Sequence, residues 1–302
     1  MSEAVLTELV EAEPILRAGP LREFWYFFRQ NRGAVIGLGV ILVFVLLAAL
    51  APWIAPHDPT QIFPEALRLP PIWKPGGSAR FLLGSDDVGR DFLSRLLFGT
   101  RISLGIGFLV VLFSATLGTV LGLLAGYHGG RLDQLIMRLV DIRMALPSIL
   151  MAIVVVSVLG PSLLNTILAV STVALPNFIR LVRASVVAEK GKQYVIASRS
   201  FGASAFRQMF INILPNCMAP LIVQATLGFS DGILDAAALG FLGLGAQPPT
   251  PEWGTMLADA RPFIESAPWM VTLPGLCILV VVLGFNILGD GLRDALDPRL
   301  KK

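Results

Sequence analysis

Charge is what this chain has least of. Only 15% of its 302 residues are Asp, Glu, Lys or Arg, while 55% are apolar, and the mean hydropathy is +0.73. A soluble domain of this length carries more charge than that, so the composition excludes one and indicates a membrane protein. Histidine and cysteine are nearly absent. His57 and His128 flank different apolar stretches and share no ligand spacing with Cys217 or Cys277, so no metal set is written into the chain, and both cysteines read as buried apolar fillers. The phosphate-cradling pattern G-x-x-x-x-G-K-[ST] is missing too: Gly191-Lys192 is followed by Gln193, and Val186 takes the place of the first glycine. No catalytic group, metal or cofactor site is expected in this chain. The net charge of +3 reflects topology better than a phosphate-binding surface, and no nucleic-acid module is present.

What fills the sequence is long apolar runs. Charge-free stretches cover Gly33 to Ile54, Ile102 to Tyr127, Met144 to Ile179, Leu214 to Ser230 and Ser266 to Gly289, against the ~20 residues that cross a bilayer. Met144 to Ile179 is too long for one crossing at 36 residues, and Gly160-Pro161-Ser162 breaks it with turn chemistry, so it reads as two spans joined by a tight hairpin. The expectation is an all-α membrane protein with six transmembrane helices.

Basic residues near span ends mark the cytoplasmic side. Six spans put both termini on one side, and that side collects 17 of the 24 basic residues: Arg17, Arg22, Arg29, Arg32, Arg131, Arg138, Arg143, Arg180, Arg183, Lys190, Lys192, Arg199, Arg207, Arg293, Arg299, Lys301 and Lys302. Both termini are expected in the cytoplasm. Ala49-Leu50-Ala51 resembles a signal-peptide cleavage site, but 32 residues containing Glu3, Glu8, Glu11 and Glu13 precede a 22-residue apolar run, too long for the ~7–15-residue core of a secretory signal. Phe24 to Phe28, flanked by Arg22, Arg29 and Arg32, reads as a helix at the membrane interface. Gly118, Gly122 and Gly126 recur every four residues, as do Gly33 with Gly37 and Gly228 with Gly232, a spacing that lets helix backbones approach closely in lipid, within one chain or between subunits.

One polar segment is different in kind. Tyr194 to Asn216 reads as two short helices broken at Gly202 and stopped by Pro215, and Phe206, Met209, Phe210 and Ile213 fall at i, i+3, i+4 and i+7 on one helical face. Either a partner covers that face or the segment lies on the bilayer or its own bundle. Elsewhere, Gln247-Pro248-Pro249-Thr250-Pro251 cannot continue a helix and turns the chain, with Trp253 expected at the interface; it is a helix terminator or a rigid docking loop. Asp86, Asp87, Arg90, Asp91 and Arg95 mix both signs at helical spacing, as in a salt-bridged solvated face or a docking rim, and the solvated face is expected there. Asp231 and Asp235, one turn apart, either line a polar pathway or sit near water at a span end; Asn286, Asn165 and Gln224 are weaker candidates, more readily explained as hydrogen bonds between helices.

Three stretches, Leu83 to Leu104, Asp235 to Met256 and Phe285 to Leu300, resemble segments of the C-type permease subunit of bacterial dipeptide and oligopeptide importers, a likeness that runs from about Phe24 to the end of the chain. The Tyr194–Asn216 segment is similar to the cytoplasmic EAA loop of ATP-binding-cassette importer permeases: Ala197, Gly202, Leu214 and Pro215 match the pattern, whereas Ile196, Ser198 and Asn212 depart from it. The resemblance implies a type I ABC importer permease fold with an EAA-type coupling loop over about 186–216. Its layout would be a cytoplasmic tail and interfacial helix at 1–32, a first span at 33–54, a periplasmic loop at 55–100, a transmembrane domain of five helices at 101–290 and a cytoplasmic tail at 291–302. It further implies a second homologous permease forming a heterodimer, two cytoplasmic ATPase subunits that bind ATP and Mg, a periplasmic peptide-binding protein, and a bacterial inner-membrane location. Tyr194, Ala197, Ser198, Gly202, Phe206, Met209, Phe210, Leu214 and Pro215 would meet an ATPase. Asp231, Asp235 and Asn286 would line the pathway, and Gln247, Pro248, Pro249 and Trp253 would meet the binding protein. Dipeptides are the implied cargo, with oligopeptides, glutathione, nickel complexes or haem as alternatives. A gradient-driven transporter or channel is the rival class; it more often shows inverted repeats, and no internal repeat is evident.

Overall fold

A computed structural model describes residues 20–296, which fold into ten main helical segments, with single 3-10 turns at Pro64–Ala66 and Arg261–Phe263, joined by short connections and one long loop. These are α1 Pro20–Gln30, α2 Arg32–Ile54, α3 Phe92–His128, α4 Gly130–Met144, α5 Ser148–Leu159, α6 Leu163–Lys190, α7 Gln193–Ser200, α8 Ala205–Phe241, α9 Trp253–Ala260 and α10 Trp269–Leu296. Glu3, Glu8, Glu11, Glu13, Arg17, Arg299, Lys301 and Lys302, used above to read topology, lie outside the described residues. Polar side chains start the long helices by accepting otherwise unpaired backbone N–H groups. Asn31 does so for α2 (Ala34 N, 3.1 Å), Asp91 for α3 (Ser94 N, 2.9 Å) and Ser162 for α6 (Asn165 N, 3.2 Å).

Five helices, α2, α3, α6, α8 and α10, are long and apolar enough to cross a membrane, and α4 with α5 forms a sixth candidate only as a pair bent by 94°. The hairpin at Gly160 forms as expected, and Asn165 closes it by donating to the Leu159 and Gly160 carbonyls, each at 2.9 Å. The stretch before it is not a straight crossing beginning at Met144. The apolar helix α5 has only 12 residues, ~18 Å at 1.5 Å per residue, short of a ~30 Å hydrocarbon core. Pro147 sets its start by disfavouring helical backbone at the residue before it, and the charged α4 leaves at an angle. Helix ends also move: α3 starts at Phe92, which leaves a loop of 55–91, and α10 continues to Leu296 where a tail was expected from 291.

The small-residue repeats are spent inside this chain. A Cβ on Gly122 would stand 2.7 Å from Val182 Cβ, one on Gly126 would stand 2.8 Å from Val186 Cβ, and one on Gly118 would collide with Phe178, so the stripe seats α3 against α6. Gly37 likewise faces the Gly284 backbone of α10, and Gly232 faces Val110 of α3. Lipid tails supply no hydrophobic drive between helices, so such close approach, with many contacts of ~0.1–0.2 kcal/mol each, is what holds them.

At the opposite end from α7, the 55–91 loop and α9 form a cap over α3. The solvated face expected for Asp86 to Arg95 is not there: Asp86 (3% exposed), Asp91 (0%) and Arg95 (2%) are buried. Asp86 Oδ2 meets Arg90 Nε at 2.6 Å and Arg95 Nε at 3.3 Å, and Arg95 Nη1 donates to the Pro59 and Pro249 carbonyls at 3.4 and 3.3 Å. Mutual pairing lets Asp86, Arg90 and Arg95 leave water, while Asp91 is held at the start of α3 by the Ser94 N–H and hydroxyl. Residues 86–91 turn instead of forming a helix, so their spacing never made a face. Trp253, expected at the interface, is fully buried: its indole N–H donates to Leu96 O at 3.4 Å and its ring packs on Gly99 and edge-on against Phe44. Glu252, 2% exposed, starts α9 by accepting from Gly254 N at 2.7 Å and Thr255 N at 2.8 Å.

Candidate functional site

Residues 191–217 leave the bundle as α7 and return as the first turns of α8. Gly202 sits between them at φ 82°, a left-handed backbone that glycine adopts without strain. Its N–H donates to Arg199 O at 3.0 Å, the Ala203 N–H donates to Ser198 O at 3.1 Å, and Ser204 then opens α8 by accepting from Arg207 N at 3.4 Å. Side chains tie the segment down. Tyr194 donates to Glu189 Oε1 at 2.6 Å and accepts from Asn216 Nδ2 at 3.1 Å, and Asn212 Nδ2 donates to Ser198 Oγ at 2.7 Å. Partial burial and the bond to Glu189 push the Tyr194 phenol up to about 12, so it stays a neutral donor at ordinary pH. Gln208, almost fully buried, accepts from the Tyr127 hydroxyl at 3.1 Å.

The apolar face predicted for one partner is divided. Met209 (6% exposed) and Ile213 (0%) pack into this chain's own core with Val195, Leu123, Val182 and Val186, and Phe210 is half-buried. Phe206 is 66% exposed, its ring 4.7 Å from that of Phe210, and Phe201 is 92% exposed. Ala197, Tyr194 and Ile196 are exposed on α7, whereas Ser198 and Leu214 are half-buried. Nor does Pro215 stop the helix. The chain runs on from Ala205 to Phe241, with a wide turn at Gln208–Ile213 in which Leu214 N bonds Met209 O. That turn relieves the clash the proline ring would make with the carbonyl four residues back. Phe201 was missed in the sequence; the usable signal was an aromatic beside a turn glycine, where no helical neighbour can cover it.

Deeper in the bundle, a cavity of about 520 Å³ opens between α4, α5, α6 and α8. Asp231, Asp235 and Gln224 line it, together with Asn177, Pro176 and Arg143; Asn286, on α10, does not. Arg143 had been counted only as a flanking charge. At the other end of the bundle Gln247, Pro248 and Pro249 are exposed and Trp253 is not, so only the first three remain available to a partner.

A helical membrane bundle with a short two-helix excursion at one end and a polar cavity within is the architecture of a type I ABC importer permease. Solved structures agree: inward-facing conformations of the MetNI methionine ABC transporter match at a TM-score of 0.55 with 19% identity, over 67% of this chain and 96% of that one. A family model described as the binding-protein-dependent transport system inner membrane component matches residues 118–302, and the N-terminal TM domain of oligopeptide transport permease C matches residues 19–71. The chain belongs to this binding-protein-dependent permease family. It is 58% identical to the dipeptide transport system permease protein DppC of Haemophilus influenzae, over 94% of this chain and 96% of that one. It is 60% identical to the DppC of Escherichia coli K12 (94% of each) and 59% identical to the di/tripeptide DppC of Pseudomonas aeruginosa (93% of each). It is therefore a permease subunit and not an enzyme: in this family ATP hydrolysis belongs to partner ATPases, and substrate arrives on a binding protein.

Proposed function

We propose that this chain is one of two homologous permeases in an importer that carries dipeptides, and tripeptides with them, across the bacterial inner membrane. Identity of 58–60% to dipeptide and di/tripeptide permeases over 93–94% of the chain carries the substrate reading. The coupling reading is carried by Phe206 and Phe201, large apolar side chains held out of the bundle on a segment that is itself tied down. In this reading both termini and the 191–217 segment face the cytoplasm, where partner ATPases bind ATP and Mg. Tyr194, Ala197, Gly202, Phe206 and Pro215 present the docking surface, and Ser198, Met209, Phe210 and Leu214 fix its shape from beneath. Nucleotide-driven closure of the ATPases moves the segment, and the bundle shifts between outward and inward access by the difference in affinity for the two states. Asp231 and Asp235 border the pathway. Gln247, Pro248 and Pro249 meet the periplasmic binding protein.

Growth of an amino-acid auxotroph on dipeptides, tripeptides and free amino acids, with and without this gene, tests the reading in a strain lacking redundant peptide importers. Selective loss of dipeptide growth on deletion is expected. Unimpaired growth on every peptide would overturn the substrate assignment and direct attention to glutathione, nickel complexes or haem.

A further inference from the structure

Arg143 ends α4, where the chain bends by 94° into α5. Its Nε and Nη2 atoms are covered by protein and have no hydrogen-bond partner among the described residues. A guanidinium held this way in a membrane bundle is costly, and an anion relieves the cost. The cavity that Arg143 lines also holds Asp231 and Asp235, with Asn177 and Gln224 supplying amides. Asp235 lines the same cavity as Arg143, yet the two form no hydrogen bond or ion pair that would use up either group. Val170, Val173 and Phe178 of α6 add apolar lining. Its volume of about 520 Å³ falls within the roughly 300–1,000 Å³ of small-molecule sites.

A positive fork and acceptor-only carboxylates in one such chamber complement a short molecule with a carboxylate at one end and an ammonium at the other. We propose that this cavity is a binding site for the two termini of a short peptide within the membrane. Arg143 takes the peptide carboxylate, which its planar donors fit two at a time, and Asp235 with Asp231 takes the ammonium. The permease then selects for free termini by itself, independently of the binding protein. The inference rests on the peptide reading above.

The test uses the membrane complex of this chain, its partner permease and the ATPases in lipid nanodiscs, without the binding protein. Equilibrium dialysis measures L-alanyl-L-alanine, its C-terminal amide and its N-acetyl form. Wild type should bind the free dipeptide, with each blocked form weaker by about tenfold or more. Arg143→Gln should lose discrimination against the amide while keeping it against the N-acetyl form, and Asp235→Asn should do the reverse. Equal binding of all three peptides, or none, by wild type overturns the proposal without relying on any variant. So does loss of the partner permease from the purified Arg143→Gln complex, because the missing anion is then a partner side chain. If the peptide reading itself is wrong, the complete importer with its binding protein takes up no dipeptide; if only this site is wrong, that uptake persists.

Discussion

Replacing Phe206 with Asp should separate docking from folding, because the structure puts Phe206 and Met209 in opposite situations on one helical face. Phe206 is 66% exposed, and the aromatic neighbour at its ring is Phe210. It is the second residue of α8, just after the Ser204 cap, where a carboxylate interacts favourably with the helix N-terminus. The cost to the isolated chain should therefore stay within the ~0.5 kcal/mol of an ordinary surface change. If the ring fills an apolar groove on an ATPase, its loss removes ~1.5–3 kcal/mol of burial, a weakening of about 10- to 150-fold, before the cost of pressing a carboxylate into that groove. Met209→Asp does the opposite: at 6% exposure, among Leu123, Val182 and Val186, the carboxylate would be buried without a partner, a loss of ~3–5 kcal/mol or more. Membrane abundance by immunoblot and ATPase copurification from detergent read the two effects separately. Phe206→Asp should be present at the wild-type level without its ATPase, and Met209→Asp should be depleted from the membrane. Normal copurification and transport by Phe206→Asp would refute the docking argument; its depletion from the membrane would show that the ring supports the fold.

Gly122→Leu should force α3 and α6 apart, since even a Cβ would stand 2.7 Å from Val182 Cβ and 2.9 Å from Ile179 O; a loss of ~1–3 kcal/mol should lower Tm in detergent, whereas Gly39→Ala, with nothing within 4 Å, should not. Gly202→Pro should uncouple, because proline cannot adopt the φ of 82° and deletes the N–H bonded to Arg199 O; peptide-stimulated ATP hydrolysis should fall while membrane abundance holds, and unchanged hydrolysis would refute the turn's role. Burial raises the Glu252 carboxyl above its ordinary 4.5, so the folded state holds the proton more tightly than the unfolded one. The resulting stabilisation is fully present below pH 4.5 and is lost as pH rises through the raised folded value. Gly254 N and Thr255 N bond different oxygens of Glu252, so Glu252→Gln keeps one of the two bonds and cannot ionise. The lost bond lowers Tm by an amount that does not vary with pH, and wild-type Tm relative to this variant should climb further on acidification; a pH-independent difference would contradict the burial argument.

The helices were legible in the sequence because a hydrocarbon core imposes a length on every crossing, and the charge-free runs at Gly33, Ile102, Leu214 and Ser266 each seed a long helix. The glycine stripe was legible for a similar reason, since small residues recurring every fourth position suit few arrangements in lipid other than close helix contact. The misreadings share one cause: periodicity reports the angle of a residue around its helix and nothing about height along it or partners far away in the chain. Asp86 and Arg95 meet each other and, through Arg95, the carbonyl of Pro249, a neighbour no local window contains. Phe206 and Ile213 share a face, yet only Ile213 is covered, because α3 ends at His128 and α6 at Lys190 and their side chains reach Met209 and Ile213 but not the turn beyond. Arg143 completes the case. Counted by side of the membrane it is one more flanking charge, yet at the bend after α4 it lines the cavity that also holds Asp235. A residue can thus obey a topology rule and still serve the cavity, because topology constrains where a charge may sit along the membrane normal and leaves its direction within the bundle to the fold.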